Sequence, residues 1–302
     1  MRIVITGATG YVAYFLVRAL CNDHTLDCWL HPGQSRTRER FHRLHHSHVS
    51  YREVDLADAR RVRDALEDAQ AIIHLAYAHT PGKYRDGHGD DLDGWFRSNL
   101  DFQLNLVLGA HARGVRNFVY LSSRAVYGSG PIRFSESDPP RPDSHYGSLK
   151  AASELLLSGF DALRHCSIRS TGVYGCVEPV EASKWFDLLC ALRERPILRK
   201  DRVGSEVHGG DLARVIALLL QTSASWPSVI NVSCLIVSYA MLADAFSRRT
   251  GVAVDVLERL PSPGGMMACD WLTAADFGWG GPALFEHTLE RMLDACERQE
   301  AL

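Results

Sequence analysis

The chain predicts an α/β fold built on a doubly wound parallel sheet. Two observations carry this. Short apolar runs of strand length alternate with helical periodicity through the first 170 residues, and the first run, Arg2-Ile3-Val4-Ile5-Thr6, feeds a glycine-spaced turn that opens a helix. With 302 residues, 46% of them hydrophobic, the chain can bury a sizeable core. A formal net charge of -3 with no long run of one sign speaks against a nucleic-acid partner.

The elements follow in order. Strands are predicted near 2–6, 26–30, 49–54, 71–75, 117–122 and 166–169, and helices near 11–21, 58–68, 94–113 and 146–164. After residue 170 the regularity weakens. A helix near 182–194, an extended piece around 197–207, a helix at 210–221, a strand near 229–232 and a helix at 238–250 precede a Pro/Gly-rich stretch at 261–265.

Eight cysteines (21, 28, 166, 176, 190, 234, 269 and 296) include no C-x-x-C pair, and several lie in apolar segments. They predict a reduced, cytoplasmic protein whose thiols pack as small hydrophobes. The first core strand starts within the first three residues, and no apolar run reaches the roughly 18 residues a bilayer requires. Neither secretion nor a membrane partner is expected.

The first turn, Gly7-Ala8-Thr9-Gly10-Tyr11-Val12-Ala13, has the spacing of a dinucleotide site. Side chains at 7 or 10 would hold a pyrophosphate away from the amides at the helix N-terminus. Ala13 replaces the usual third glycine, a mild change where helix and strand approach closely. After the second strand, His31 stands where a carboxylate would select NAD, and Arg36 and Arg38 follow, so the loop favours NADP over NAD. Asp55 and Leu56 after the third strand are expected at the adenine, and Leu75, Ala76 and Tyr77 after the fourth along the cofactor's path.

Tyr146 and Lys150 stand four apart, on one face of a predicted helix, downstream of Ser123 at the end of an apolar strand. The ammonium favours phenolate, drawing the phenol from about 10 toward the working range. Tyr146 is the expected general acid or base for an alcohol or ketone oxygen. Lys150 would also anchor ribose hydroxyls, and Ser123 would donate to the substrate oxygen.

These motifs resemble the extended short-chain dehydrogenase/reductases, the NAD-dependent epimerase/dehydratase group that includes UDP-galactose 4-epimerase-like enzymes. The resemblance rests on Thr6-Gly7-x-x-Gly10-x-x-Ala13, Asp55-Leu56, His74-Leu75-Ala76, Asn99, Leu121-Ser122-Ser123-x-x-Val126-Tyr127-Gly128, Tyr146-x-x-x-Lys150 with Glu154, and Arg169-x-x-Gly172-Val173-Tyr174-Gly175. It implies a Rossmann domain at 1–170, with sheet elements returning at about 208–232, and a substrate lobe from 171–207 and 233–302. It also implies catalytic roles for Ser123, Tyr146 and Lys150, with Asn99 holding a helix near the relay, Val173 near the cofactor, and a homodimer through helices at about 94–113 and 146–164.

Dehydratases of this group tend to carry an acidic residue after the catalytic Ser or Thr. Here that residue is Arg124, expected at the substrate, which favours simple oxidation or reduction, or epimerisation, over elimination. The expected activity is an NAD(P)-dependent oxidoreductase acting on a secondary alcohol or ketone of a sugar-like substrate, with or without a linked nucleotide. An epimerase with retained NAD is the alternative, and an inactive dinucleotide-binding regulator would ordinarily lack one of Ser123, Tyr146 and Lys150.

Two departures bear on the substrate: Gly172 replaces an Asn, and His208-Gly209-Gly210-Asp211 replaces His-Val-Asp-Asp. Arg124, Lys184, Arg199 and Arg202 are candidates for pairing with a substrate diphosphate if the substrate is a nucleotide sugar, and each reads equally as a surface charge. Cys176 reads as a packed thiol. His42, His45, His46 and His48 lack partner carboxylates or thiols at ligand spacing, so no metal is expected. The Gly-, Asp- and His-rich segment 78–93 reads equally as a lid or an ordinary surface loop.

Overall fold

The computed structural model describes residues 1–32, 44–80, 87–129, 133–258 and 266–300. Its first half runs β1 (Arg2–Thr6), α1 (Tyr11–Leu20), β2 (Thr25–Leu30), β3 (Val49–Glu53), α2 (Ala59–Ala65), β4 (Ala71–His74), α3 (Leu92–Arg113), β5 (Asn117–Ser123), α4 (His145–Ser158) and β6 (Arg164–Ser170). There follow β7 (Gly172–Tyr174), α5 (Phe186–Glu194), β8 (Ile197–Leu198), β9 (Val203–His208), α6 (Gly209–Gln221) and β10 (Val229–Val232). The last elements are β11 (Leu235–Ser238), α7 (Tyr239–Thr250), β12 (Asp255–Val256), α8 (Asp270–Ala274) and α9 (Gly281–Glu300).

Seven strands form one parallel sheet in the order β3-β2-β1-β4-β5-β6-β10. The connection reverses direction between β1 and β4, which opens a crevice at their C-terminal ends. Because strand side chains alternate, Ile3 and Ile5 enter the core under α1 and α6 while Val4 enters the opposite core with Phe102 and Leu106 of α3. A separate core unites Leu189 of α5, Leu242 and Phe246 of α7, and Leu289 and Met292 of α9. The small sheet β7-β9-β11 stands beside it.

Several boundaries differ from expectation. The helix expected at 146–164 ends at Ser158, with Gly159 as its C-cap, and the chain turns before β6. The helix expected from 182 begins at Phe186, and the extended piece at 197–207 divides into β8 and β9. Sequence reading missed α9, although Phe285, Leu289, Met292, Leu293 and Cys296 recur at helical spacing on its buried face.

The expectation of free thiols is corrected at one pair. The packing of α5 against α9 brings Cys190 and Cys296, 106 positions apart, to a Cα separation of 5.8 Å, where they form a disulfide. Among the described residues, no helix is long and apolar enough to cross a membrane, and no three His, Cys, Asp or Glu side chains gather into a metal site.

Candidate active site

The turn after β1 presses against the segment after β4. Gly7 has φ +69°, and a Cβ there would fall 2.7 Å from the Ala76 backbone nitrogen, so neither the conformation nor the space admits a side chain. Gly10 is the N-cap of α1 and no side chain caps that end, which leaves the positive end of the helix open toward the β1–β4 crevice. This cradle fits a dinucleotide's diphosphate. Ala13 is fully buried, as expected where α1 meets the sheet. Thr6 Oγ1 holds the wall behind the cradle, lying 2.7 Å from His74 Nδ1 and accepting from the Ala76 amide at 3.2 Å. Burial, with the Lys150 charge adding to it, pushes His74 down to about 3, so its imidazole stays neutral.

Tyr146 and Lys150 both lie buried on the face of α4 that covers β5. Ser144 caps this helix by accepting from the Gly147 amide at 3.2 Å. Gly147 permits the close approach, since a Cβ would strike the Ala125 carbonyl at 2.3 Å. Sequence reading assigned Gly147 no role, and its signal is simply its place beside Tyr146. Lys150 Nζ donates to the Leu121 carbonyl at 2.8 Å and lies 4.7, 5.3 and 5.8 Å from the ring centres of Tyr120, Tyr77 and Tyr146. Burial draws the ammonium down to about 7, opposed by Glu154. Ser123 closes β5, and its Oγ accepts from the Ala125 amide at 3.2 Å. Ser123, Tyr146 and Lys150, the expected relay, thus gather where β5 meets α4.

A buried polar network stands behind them. The Arg169 guanidinium grips Glu154 through Nε at 3.1 and 3.2 Å and Nη2 at 2.7 Å. Ser122 donates to the same carboxylate. Arg169 also reaches the Tyr127 hydroxyl at 2.8 Å, which is 2.8 Å from Asn231 Oδ1, and the Asn231 amide donates to Glu136 at 2.8 Å. Burial raises Glu136 despite its two backbone donors, Asn231 and Trp271. The motif residues Glu154, Arg169 and Tyr127 therefore fix the ends of β5, β6 and β10 relative to α4.

Other expected residues fall as follows. Asn99 is a positioning residue: its amide donates to the carbonyls of Ala78 (3.1 Å) and Trp95 (2.9 Å) and accepts from the Ala78 amide (2.9 Å), pinning the chain after β4. Tyr77 packs edge-on against Tyr146, with ring centres 5.4 Å apart. Asp55 accepts from the Ala57 amide at 3.0 Å, and Leu56 is buried. Val12, Leu75 and Val173 pack against the core under α1 and α6. Thr9 remains partly exposed in the turn, and His31 is exposed, with Nδ1 2.9 Å from the Pro32 carbonyl oxygen. Arg36, Arg38 and His42 lie outside the described residues, as do 81–86 of the 78–93 segment and 261–265.

Arg124 begins the turn after Ser123, its guanidinium 5.6 Å from the Phe134 ring centre. Burial pushes the Cys176 thiol up, and its Sγ lies 3.4 Å from the Thr288 carbonyl, a packed thiol. Arg199 and Arg202 are exposed. Lys184 is ion-paired, its ammonium 2.6 Å from Oε1 of the Glu206 carboxylate. Both sequence departures have steric counterparts. A Cβ on Gly209 would meet Phe15 Cδ2 at 2.2 Å, and one on Gly172 would meet Glu206 Oε2 at 2.5 Å.

A crevice floored by a glycine cradle and walled by a Ser-Tyr-Lys cluster defines a dinucleotide-binding α/β protein of the short-chain type. Residues 3–233 match the NAD dependent epimerase/dehydratase family, and the chain belongs to it and to the extended short-chain dehydrogenase/reductases. Among curated proteins it is 29% identical over 181 residues to a dTDP-glucose 4,6-dehydratase of Mycolicibacterium smegmatis, covering 57% of this chain and 51% of the relative. It is 28% identical over 178 residues to an L-arabinose 1-dehydrogenase (NAD(P)(+)) of Haloferax volcanii, covering 54% and 62%. The chain spans about half the length of the first of these relatives. Among solved structures it is similar to the UDP-glucose 4-epimerase of Thermus thermophilus in complex with NAD (TM-score 0.77, 25% identity, 97% of this chain and 99% of that one). It shares its fold with a UDP-N-acetylglucosamine 4-epimerase from Methanobrevibacter ruminantium (TM-score 0.81, 22% identity, 99% and 98%).

Proposed function

We propose that the chain is an NAD(P)-dependent oxidoreductase acting at a secondary alcohol or ketone carbon of a sugar-like substrate. The observation that carries this reading is the burial of Tyr146 and Lys150 on one face of α4 against β5, whose last residue is Ser123, beside the Gly7 cradle. A nicotinamide dinucleotide, when bound, supplies or accepts the hydride. Gly7 and Gly10 would admit its diphosphate to the N-terminus of α1, and Asp55, Leu56, Leu75, Ala76, Tyr77 and Val173 would line its length. In the direction of reduction, Tyr146 gives its phenolic proton to the carbonyl oxygen while Ser123 donates a hydrogen bond to the same atom. Lys150, as ammonium, lowers the cost of the phenolate left behind.

Arg124, standing where an elimination would want a carboxylate, supports oxidation or reduction over dehydration. His31, in place of an acidic residue, supports NADP, as does Arg36 in the sequence. The second reading, an epimerase with retained NAD, is supported by the likeness to the T. thermophilus epimerase bound to NAD. A homodimer through α3 and α4 is supported by exposed leucines on those helices, Leu104, Leu108 and Leu155.

The test has two parts. Tyr146→Phe is expected to lower kcat by at least about 100-fold with dinucleotide affinity nearly unchanged, and undiminished turnover would refute the relay. Mass identification of any dinucleotide released on denaturing the purified protein separates the readings: retained NAD supports the epimerase, while an empty protein preferring NADPH supports the reductase.

A further inference from the structure

We propose that the Lys184–Glu206 pair is a specificity element that disfavours a diphosphate-bearing substrate and accepts an uncharged, hydroxyl-rich one. The inference deepens the oxidoreductase reading and rests on it for the position of the substrate. The pair lies between the two halves of the candidate site. On one side, Ser123 is in register with Ser170, and two residues later Gly172 is in register with Glu206. On the other, the Lys184 amide donates at 3.2 Å to the hydroxyl of Tyr11, the first residue of α1 after the glycine turn. That hydroxyl in turn donates to the Gly175 carbonyl.

The space a side chain at 172 would fill is taken by the Glu206 carboxylate. Its negative charge is nearly buried, with 12% of the side chain exposed, whereas Lys184 keeps 33% of its side chain in contact with solvent. Lys184 is thus the more exposed partner, and its charge is already met by the carboxylate. A diphosphate placed here would draw Lys184 from Glu206, stranding a buried carboxylate, and would face that carboxylate at close range. A sugar or polyol hydroxyl meets no such opposition, because it can donate to the carboxylate and accept from the ammonium without separating them.

Calorimetric titration of the dinucleotide-loaded full-length protein with UDP tests this without turnover. Wild type is expected to bind UDP only in the millimolar range, Glu206→Gln to bind it at least tenfold more tightly, and Lys184→Met, which leaves the carboxylate uncompensated, to bind it no more tightly than wild type. Micromolar binding by wild type, a tenfold gain in Lys184→Met, or no gain in Glu206→Gln would each overturn the proposal. If Glu206→Gln does not fold, the double variant Lys184→Met/Glu206→Leu, which removes both charges together, is the comparison. It should bind UDP more tightly than wild type, because the carboxylate and the cost of separating the pair are both gone, and an affinity no better than wild type there would overturn the proposal as well. A failed Tyr146→Phe test would remove the catalytic reading while leaving the UDP result to stand alone.

Discussion

Replacing Arg169 with methionine isolates the energetics of the network behind the relay. The side chains of Arg169 and Glu154 are only 4% and 8% exposed, so neither charge has water to fall back on. The guanidinium provides the carboxylate's three short contacts from Arg169, at 2.7, 3.1 and 3.2 Å, and Ser122 the other. Removing one partner of a buried pair costs about 3–5 kcal/mol, because the remaining charge is stranded. Removing both together with groups of similar volume costs much less, so Arg169→Met/Glu154→Leu should be more stable than Arg169→Met alone, with a coupling of about 2–3 kcal/mol. Urea unfolding at pH 7.5 of wild type, both single variants and the double variant measures this. A single-variant cost under about 1 kcal/mol, or additive costs in the double variant, would refute the reasoning.

Three further outcomes are expected. His74, at about 3 when folded and 6.5 in a free chain, stays neutral in the fold while the unfolded chain takes up a proton below pH 6.5. Its contribution is therefore present above 6.5 and lost as pH falls toward 3, by up to about 1.4 kcal/mol per pH unit, so the stability difference between wild type and His74→Gln should shift against wild type between pH 6.5 and 5. A parallel pH dependence in the two proteins would contradict this. Gly209→Ala should cost about 1–3 kcal/mol by driving a methyl into the Phe15 ring, and a Phe15→Ala background should remove most of that penalty in chemical denaturation. Leu155→Lys, at a side chain 75% exposed on α4, should shift the protein from dimer to monomer in sedimentation, whereas an unchanged dimer would place the interface elsewhere.

What was legible in the sequence is what a contiguous stretch encodes. Gly7, Gly10 and the strand before them specify a cradle because backbone conformation and helix polarity act within a few residues. Tyr146 and Lys150 share a face because a helix repeats every 3.6 residues. The interleaving of the last strand was also readable, since Val229–Val232 is a short apolar run and joins the parallel sheet beside β6. The boundary of α4 was less so, because the apolar pattern continues through Phe160 and Leu163 after Gly159 has ended the helix.

The substrate side was not legible for a different physical reason: its decisive contacts join segments far apart in the chain. In the sequence, Gly172 and Gly209 stand out only as departures from the family pattern that bear on the substrate. In the fold each is one half of a fitted pair, Gly209 with the Phe15 ring and Gly172 with the Glu206 carboxylate. Lys184 reads equally as a diphosphate partner or a surface charge in the sequence, because nothing within its own stretch reveals a carboxylate that arrives on β9. A residue's apparent availability for a ligand depends on what the rest of the chain has already brought to it. The same consideration separates the two halves of this site. The cradle at Gly7 and Gly10 is built from backbone, whose chemistry no distant side chain has to supply, whereas the surroundings of Lys184 and Glu206 are built from side chains whose charges are set by their partners. Specificity in this chain should therefore change through coupled substitutions, such as Glu206 with Lys184 or Gly209 with Phe15, while the cradle tolerates little change at Gly7 or Gly10 whatever the substrate.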